Sequence, residues 1–410
     1  MKWYPRENYL KKIRGFYHDP EMIKVITGVR RCGKSCLMQT IADELEAEGI
    51  AAENIVRIDL DKRGYRSIKT AEQLEELIDS LSDASGMKYL FIDEIQNVTG
   101  FEEVINGYRG EGDYSIFVTG SNSYLLSGEL ITKLTGRYLE FEMFPLTFEE
   151  YLGMKRYLGY EISADITQEF DTFIREGGFP KTLQYQTVED KRTYVQGIIS
   201  EIFEKDIRRR VKVNNMAAFR QIQTYIINNF GAVTSLSNIL SDLKKIGCHI
   251  KRETLNRYIQ ILLDAKILCK CERFDLKSRK SLSGEQKYYL ADLGFYFATN
   301  TDNRINYGPV LENIVYIYAR SKGYAISVGR IGKLECDFIL RSGTASYSYV
   351  QVAMTIMNSV ETENREYAPL EKISDNYPKY LVTRNDLIQG RNGIKHVNIG
   401  NFMKNGDLFT

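Results

Sequence analysis

Apolar positions between residues 22 and 143 follow two alternating patterns. Leu37, Ile41 and Leu45 recur four residues apart, on one face of a helix predicted over 35–48, and a similar spacing predicts a helix over 71–81. Short apolar or β-branched runs separate these helices and predict strands at 22–27, 55–60, 89–92, 116–119 and 138–144. The alternation of strands and helices predicts a parallel α/β sheet.

The pattern changes after residue 145. Mostly helical spacing follows up to residue 230, and two helices are then predicted at 234–243 and 252–268, followed by a hairpin with strands at 269–274 and 286–290. The α/β alternation returns near residue 305, with a predicted helix at 310–321 and strands at 325–329, 334–340, 347–354 and 379–383. We therefore expect four units, with boundaries good to about 10 residues: 1–145, 146–230, 231–300 and 301–410.

Composition and charge exclude several classes of protein. The chain has 410 residues, 43% hydrophobic and 27% charged, which is ordinary for a globular protein and unlike a disordered one. The net charge of +1 means that any basic surface must be local, and 3 His leave little room for a His-rich metal centre or a Ser-His-Asp triad. No apolar run is long enough for a transmembrane helix or a signal peptide. We expect a soluble cytoplasmic protein with no membrane partner.

The six cysteines support the same compartment. They form no C-x-x-C pair and are expected to be reduced thiols. Cys269 and Cys271 are two residues apart, and we expect them to be strand residues rather than half of a zinc site.

The strongest chemical signal is a phosphate-binding loop at 28–35. The residues fit G-x-x-x-x-G-K-[ST], follow an apolar strand and precede an amphipathic helix. Lys34 is expected to reach the β- and γ-phosphates of ATP, and the Ser35 hydroxyl to bind Mg²⁺. The predicted nucleotide contacts are Gly28, Val29, Arg30, Arg31, Cys32, Gly33, Lys34, Ser35 and Cys36.

Two acidic residues end the predicted strand 89–92. Asp93 at this position would hold Mg²⁺ through water, and Glu94 would orient and polarise the attacking water as a catalytic base. Two acids after a strand are often only a solvated turn. Their combination with the phosphate loop favours the catalytic interpretation.

Two further candidate sites, Ser121 or Asn122 and Arg137, each have a functional interpretation and a structural one of about equal or greater weight. If strand 116–119 lies between the phosphate-loop strand and the Asp93 strand, Ser121 or Asn122 would sense the γ-phosphate; otherwise they cap a helix. Arg137 would act as an arginine finger across a subunit interface, or it is a surface residue in a turn, which is slightly favoured.

Taken together, the motifs resemble the AAA+-type, STAND-related ATPases of the prokaryotic AAA_14 family with a C-terminal DUF4143 region. The resemblance lies in TGVRRCGKS, YLFIDEIQNV, FVTGSNSYLLS, LTGRYLEFEMFPLTFEEYL, GGFP, YYLADLGF, LEN, ECDFIL and QVA. It implies a P-loop core with an additional strand over 1–145 and a helical lid over 146–230. In that lid GGFP, with Pro180, would sit near the adenine; otherwise GGFP is only a turn.

Residues 234–290 are consistent with a winged helix, a helix-turn-helix followed by a hairpin. Its second helix would expose Lys251, Arg252, Asn256 and Arg257, and its wing would carry Lys277, Arg279 and Lys280. These side chains would neutralise DNA phosphates, or the unit is a packing module with ordinary solvated cations. The two interpretations weigh about equally.

The C-terminal unit resembles the core of a restriction-endonuclease-like fold. Glu312 lies on a predicted helix, Glu335 and Asp337 share one face of a strand, and Gln351 begins the sequence Gln-Val-Ala. Active nucleases of this class place an acid at the position of Gln351 and a Lys at that of Ala353. We expect a degenerate, non-cleaving domain, although Arg365 would be a candidate for a migrated cation.

The function expected from the sequence is Mg²⁺-dependent ATP hydrolysis that switches the winged-helix and nuclease-like units, with DNA as a candidate partner. The alternatives are a nucleotide-gated DNA- or protein-binding switch with little turnover, and a metal-dependent DNA nuclease. The sequence leaves open whether the partner is DNA, a second copy of the chain or another protein.

Overall fold

The computed structural model describes residues 3–120, 134, 136–208, 213–278, 280–300, 305–343 and 346–410, without the side chains of 282–284. The chain divides into two compact units. The first comprises Met1–Met143 with Asp264–Lys266, and the second comprises Phe144–Leu263 with Ile267–Thr410.

A parallel sheet forms the centre of the first unit. Its strands are β1 (Ile23–Gly28), β2 (Ile55–Asp59), β3 (Lys88–Asp93), β4 (Tyr114–Gly120) and β5 (Tyr138–Met143). In the described part of the unit their order is β2-β3-β4-β1-β5, and every pair is parallel. The parallel sheet expected from the sequence is therefore confirmed, and β4 lies between β1 and β3.

Helices cover this sheet, as the alternating pattern predicts. They are α1 (Glu7–Ile13), α2 (Lys34–Ala47), α3 (Ala71–Leu81) and α4 (Phe101–Glu111). The predicted helix 71–81 has the observed bounds, because Thr70 and Gln73 form a capping box that fixes its start. Residues of β1 and β4 are buried along their whole length, so the carboxyl ends of the strands are held in a rigid frame.

The second unit begins with helices. They are α5 (Phe148–Tyr157), α6 (Ile166–Glu176), α7 (Val188–Glu201), α8 (Met216–Asn228), α9 (Leu236–Lys245) and α10 (Arg252–Asp264). Pro180–Gln184 is a 3₁₀-helix, and Ile202–Ile207 continues α7 as a π-helix. The predicted helix 252–268 ends early, because Lys266 adopts a left-handed φ of 55°.

A mixed sheet forms the rest of this unit. Its strands are β6 (Leu268–Asp275), β7 (Lys280–Leu290), β8 (Ala325–Ile331), β9 (Leu334–Arg341), β10 (Tyr347–Val352), β11 (Lys379–Thr383) and β12 (Lys395–Asn398). Among the described residues the order is β12-β11-β10-β9-β8-β6-β7. Helices α11 (Gly294–Thr299), α12 (Tyr307–Lys322), α13 (Val360–Glu371) and α14 (Ile399–Lys404) accompany it.

The hairpin β6–β7 and the later strands belong to one sheet. Arg273 of β6 pairs with Val328 of β8 in parallel register. The domain boundary predicted near residue 300 therefore falls between strands of a single sheet, although the four-unit division itself stays a prediction. Pairing of strands this far apart in the chain leaves no local pattern in the sequence.

Two smaller expectations concern cysteines and membrane helices. Cys269 and Cys271 both lie in β6, as predicted, and none of the six cysteines, all of which the structure describes, takes part in a disulfide. Among the residues with described structure, none of the helices combines the length and apolar character needed to span a bilayer.

Candidate functional site

The loop after β1 has a backbone that only glycine can supply at two points. Gly28 has a φ of 146°, and a Cβ there would lie 2.1 Å from the carbonyl oxygen of Met143. Gly33 has a φ of 111° and is the N-cap residue of α2, so no side chain caps the first N–H groups of that helix. Uncapped N–H groups at a helix start are suited to bind an anion.

The Lys34 side chain lies within this loop. It is buried, and its Nζ donates to the carbonyl oxygens of Gly28 at 2.9 Å and Val29 at 3.3 Å. Outside the loop, the buried Arg6 donates to the carbonyl oxygen of Cys32 at 3.2 Å and so fixes the loop's shape. Arg6 could not be predicted from the sequence, because no spacing rule links it to Cys32, 26 residues later.

Asp93 and Glu94 lie at the carboxyl end of β3, both buried, with Thr119 of β4 between their polar groups. The Thr119 hydroxyl donates to the Asp93 carboxylate, and the Glu94 N–H donates to that hydroxyl at 3.1 Å. The strand order thus brings the acids to the same sheet edge as the phosphate loop. Thr119 was not predicted as a site residue. Its position at the carboxyl end of the middle strand is the sequence feature that could have indicated it.

The Glu94 carboxylate has two further polar neighbours. Gln96 donates from its side-chain amide to Oε2 of Glu94. Arg30, from the phosphate loop, has Nη2 at 3.9 Å from the same oxygen and Nη1 at 3.7 Å from Oδ2 of Asp61. The loop, the end of β3 and the segment after β2 are therefore linked by charge.

The residues present suit a nucleotide-bound Mg²⁺ better than a metal held by protein alone. In the described ranges, no group of three or more His, Cys, Asp or Glu side chains is arranged to hold a metal ion. Ser35 is in the first turn of α2. In the same turn, burial and the charge of Asp93 raise the pKa of the Cys36 thiol. Mg²⁺ in such sites keeps several waters and takes phosphate oxygens as ligands, so one carboxylate and one hydroxyl suffice.

The other nucleotide-site predictions are placed only in part. Ser121 and Asn122 lie outside the described residues, so their role stays a prediction, although β4 does occupy the middle position that it requires. Arg137 is exposed in the turn before β5, where its Nη1 donates to Oδ1 of Asn106 at 3.3 Å. Its action across a subunit interface also stays a prediction.

The GGFP segment has a structural partner within the second unit. Asp292 is buried and accepts hydrogen bonds from the backbone N–H groups of Gly178, at 2.6 Å, and Gly294, at 2.7 Å. A Cβ at Gly177 would lie 2.2 Å from Oδ1 of Asp292. GGFP and YYLADLGF are thus two halves of one junction. Pro180 starts the 3₁₀-helix after it, and its proximity to adenine stays a prediction.

Burial makes Asp292 unusual. It raises the pKa of the carboxyl group to about 7, against the opposing effect of the two backbone hydrogen bonds. The carboxyl group therefore titrates near neutral pH inside the junction.

A buried cluster of charges lies on the sheet of the second unit. Lys287 of β7 places its Nζ 2.8 Å from Oε2 of Glu312, 3.0 Å from Oε1 of Glu335 and 3.9 Å from Oδ1 of Asp337. Tyr289 donates to the same oxygen of Glu312 at 3.0 Å. The predicted acids are therefore brought together, around a lysine that the sequence analysis missed because it comes from the hairpin.

Two cations pair with the acids of the cluster, because Arg273 also donates to Oε2 of Glu335 at 2.7 Å. Burial alone would lower the pKa of Lys287, but Glu312, Asp337 and Glu335 outweigh it and raise that pKa. Burial and the charge of Glu312 raise the pKa of Asp337 well above its ordinary range, despite Lys287.

Neither Gln351 nor Arg365 completes a metal site in this arrangement. Gln351 accepts from the N–H of Asp337 at 3.3 Å and donates to Oε2 of Glu366 at 3.2 Å, so its amide is engaged by protein groups. Arg365 is exposed and pairs with Glu366 at 2.8 Å. In this conformation Arg365 lies outside the cluster, where Lys287 and Arg273 are the cations that pair with the acids. A movement of Arg365 into the site stays a prediction.

The predicted DNA-contacting residues are exposed where they are described. Lys251, Arg252, Asn256 and Arg257 are exposed at α10, and Lys277 and Lys280 lie at the tip of the hairpin. Arg279 lies outside the described residues. Thr234 bridges Gln286 of β7 through two backbone hydrogen bonds of 3.0 Å, which ties the start of this region to the hairpin.

The parallel sheet, the glycine loop leading into α2 and the acids at the end of β3 define a P-loop NTPase. Comparison with known proteins agrees: residues 20–152 match the family model AAA_14, described as an AAA domain. Residues 167–304 match DUF8612, a domain of unknown function, and the expected DUF4143 region is not shown.

The chain belongs to the same family as an uncharacterized protein of Haemophilus influenzae, with 35% identity over 380 residues and coverage of 92% of each chain. It is also 30% identical over 316 residues to the uncharacterized protein MJ1544 of Methanocaldococcus jannaschii, covering 74% of this chain and 68% of that protein.

Among solved structures, the Walker-type ATPase PABY2304 of Pyrococcus abyssi is similar with a TM-score of 0.50 and 16% identity. The match covers 72% of this chain and 95% of that chain. It supports the AAA-type ATPase fold.

Proposed function

We propose that this protein hydrolyses ATP with Mg²⁺ and uses the nucleotide state to switch its second unit. The observation that carries the proposal is the meeting, at one sheet edge, of the glycine loop with Lys34 and the acids Asp93 and Glu94, aligned through Thr119. Phosphate cradle, metal-binding acid and water-orienting acid are the parts that phosphoryl transfer to water requires.

Each of these residues has a distinct role. The N–H groups at the start of α2 and the Lys34 ammonium bind phosphate oxygens, and Lys34 exchanges its loop carbonyl partners for them. Ser35 and Asp93 would hold Mg²⁺, which would supply positive charge to the phosphates. Glu94 accepts a hydrogen bond from the attacking water and orients it.

DNA is the partner that the second unit suits best. In support, cations at α10 and at the hairpin tip are exposed, although the whole chain has a net charge of only +1. Cations on a helix and on an adjoining hairpin are placed as in proteins that neutralise DNA phosphates. The winged-helix assignment is part of this proposal.

We further propose that the C-terminal sheet does not cleave DNA. Lys287 and, at Glu335, Arg273 already pair with the acids that would bind a metal, and the side chain of Gln351 is engaged within the protein. In this proposal the region has a docking role, toward DNA or toward another protein. We also propose that the chain self-associates and that Arg137 acts on the nucleotide site of a neighbouring copy. In that case, mixing Arg137→Ala with Lys34→Ala protein should partly restore turnover.

The test is the ATPase activity of the purified full chain with and without Mg²⁺ and duplex DNA. The wild type should hydrolyse ATP only with Mg²⁺, and Lys34→Ala should lose turnover by at least about 100-fold. DNA should stimulate the wild type at low salt, and Lys277→Gln/Lys280→Gln should weaken this stimulation.

Lys69→Ala, an exposed lysine of the same unit, is the matched control for Lys34→Ala. Equal turnover in the wild type and Lys34→Ala would refute the ATPase proposal. Stimulation by DNA that ignores both salt and the hairpin variant would refute the DNA part alone.

A further inference from the structure

We infer that Arg30 of the phosphate loop is a positioning residue for Glu94, which makes the competence of the base depend on the shape of the loop. The inference rests on the proposed ATPase function and adds a residue that the loop motif does not specify, because position 30 is one of its variable positions.

The first observation is the burial of Arg30. Its side chain is only 8% exposed, which is unusual for arginine and requires charged or hydrogen-bonding partners. Both ends of the guanidinium face carboxylates: Nη1 lies 3.7 Å from Asp61, and Nη2 lies 3.9 Å from Glu94. The planar guanidinium therefore spans the segment after β2 and the end of β3.

The second observation is that Asp61, the carboxylate partner of Arg30, is itself held in place by neighbouring residues. Asp61 also accepts a hydrogen bond from the side chain of Asn97 at 3.1 Å, and the Leu60 N–H donates to the carbonyl oxygen of Asp93 at 3.2 Å. The segment that holds Asp61 is thus tied to the turn that carries Glu94. Arg30 joins this frame from the loop side.

The third observation concerns the Glu94 carboxylate itself. Gln96 donates to Oε2, the same oxygen that faces Arg30, so both neighbours act on one side of the carboxylate. The Glu94 backbone has a φ of 56°, which sets the direction from which its side chain leaves the strand end. Removing Arg30 leaves Gln96 as an anchor, so the orientation should loosen rather than be lost.

A base must be held within a fraction of an ångström of its working position, and a displacement of 1 Å costs about 100-fold in rate. Arg30 belongs to the loop that wraps the phosphates, so the loop conformation that binds nucleotide also sets the contact with Glu94. Binding and chemistry are thereby coupled through a single side chain.

The experiment compares Arg30→Met, Arg30→Lys and the wild type in steady-state ATP hydrolysis, with nucleotide affinity measured separately by fluorescent ADP. Arg30→Met should lower kcat by about 10- to 100-fold while ADP affinity changes by less than about threefold. Arg30→Lys should recover part of kcat, because it restores a positive charge between the two carboxylates. Asp61→Asn, which keeps Arg30 but weakens its anchor, should give a smaller loss.

A double-mutant cycle separates positioning from a general effect on the fold. In a Glu94→Gln background, Arg30→Met should change the residual single-turnover rate by less than about twofold, since its effect acts through the carboxylate. Arg57→Met, which removes the arginine of an exposed ion pair with Glu46 in the same unit, is the control and should leave kcat unchanged.

Unchanged kcat in Arg30→Met, an equal loss of ADP affinity and kcat, or the same loss in the Glu94→Gln background would overturn the inference. If the wild type hydrolyses ATP and Arg30→Met has the same kcat, only this inference is contradicted. A wild type with no ATPase activity contradicts the proposed function.

Discussion

Thr119 links Asp93 and Glu94, the proposed metal-binding and water-orienting acids, through a single hydroxyl. That hydroxyl donates to Asp93 and accepts from the N–H of Glu94, so the orientations of the two acids depend on each other. The left-handed backbone of Glu94 costs of the order of 1 kcal/mol and persists because the surrounding contacts hold it. Such strain at the end of a buried strand is typical of residues whose direction matters for chemistry.

Asp93→Asn should separate metal binding from phosphate binding. The amide keeps an oxygen that accepts from Thr119 but carries no negative charge for Mg²⁺. ATP affinity in EDTA should stay near the wild-type value, while the gain in affinity on adding Mg²⁺ should fall by about 10-fold. Titration with a fluorescent ATP analogue measures both quantities, and a full Mg²⁺-dependent gain in the variant would exclude Asp93 as the metal-binding acid.

The residues that sequence alone could predict are those fixed by a local chemical pattern. The phosphate loop and the two acids follow such patterns, since the spacing itself encodes the backbone shape. Arg6, Thr119 and Lys287 could not be predicted in the same way, because strand order or distant segments bring them to their sites. Burial of a charge is also invisible in the sequence until its partners are known.

At the scale of elements, the junction between GGFP and YYLADLGF shows why two glycines precede Phe179. A Cβ at Gly177 would clash with Oδ1 of Asp292. A Cβ at Gly178 would lie 2.2 Å from the carbonyl oxygen of Leu146. The close approach lets the Gly178 N–H reach the carboxylate of Asp292. Helix α6, the following 3₁₀-helix and α11 are thereby held together.

This junction should make stability depend on pH. The pKa of Asp292 is raised to about 7, above the ordinary value of 3.8, so the folded chain binds more protons than the unfolded chain between about pH 4 and 7. The contribution of Asp292 to stability is therefore full below about pH 4 and declines as the pH rises toward 7, by a few kcal/mol at most.

Urea unfolding at several pH values checks this expectation. Asp292→Asn should lack the decline, so its free energy of unfolding relative to the wild type should rise between pH 4 and 7. Asp386→Asn, at an exposed aspartate of the same unit, is the control. A difference between wild type and Asp292→Asn that is independent of pH would contradict the buried, titrating carboxyl group.

Element boundaries illustrate the limits of sequence patterns. The strand predicted at 379–383 has its observed bounds, whereas the predicted strand 347–354 ends at Val352. Helix α13 and strand β12 were not predicted: α13 contains Pro369, and β12 has only four residues. Short or interrupted elements depend on tertiary contacts rather than on periodicity.

At the scale of the whole molecule, the chain combines a P-loop ATPase sheet with a second sheet that buries a charge cluster. Removing one partner of such a cluster leaves uncompensated charge, at a cost of about 3–5 kcal/mol. We propose that Lys287 is a permanent cation of the cluster rather than a catalytic residue. This sheet would then be an accessory to the ATPase rather than a second active site.

DNA cleavage assays test this division of roles. The full chain, incubated with single- and double-stranded DNA in Mg²⁺ or Mn²⁺ and with or without ATP, should leave the DNA intact. Lys287→Met should lower the free energy of unfolding without creating cleavage. Cleavage that Asp337→Ala abolishes and Lys34→Ala retains would show that the cluster is an active nuclease site.

The most direct test of the account is the fate of ATP bound to Glu94→Gln. The substitution keeps the shape of the side chain and removes the charge that polarises water, while Lys34, Ser35 and Asp93 remain. ATP mixed with excess Glu94→Gln protein and Mg²⁺, then quenched and separated, should be found bound and intact over the time in which the wild type converts it to ADP, with only slow residual hydrolysis afterwards. Hydrolysis by Glu94→Gln at the wild-type rate would contradict the assignment of Glu94, and with it the mechanism proposed for this site.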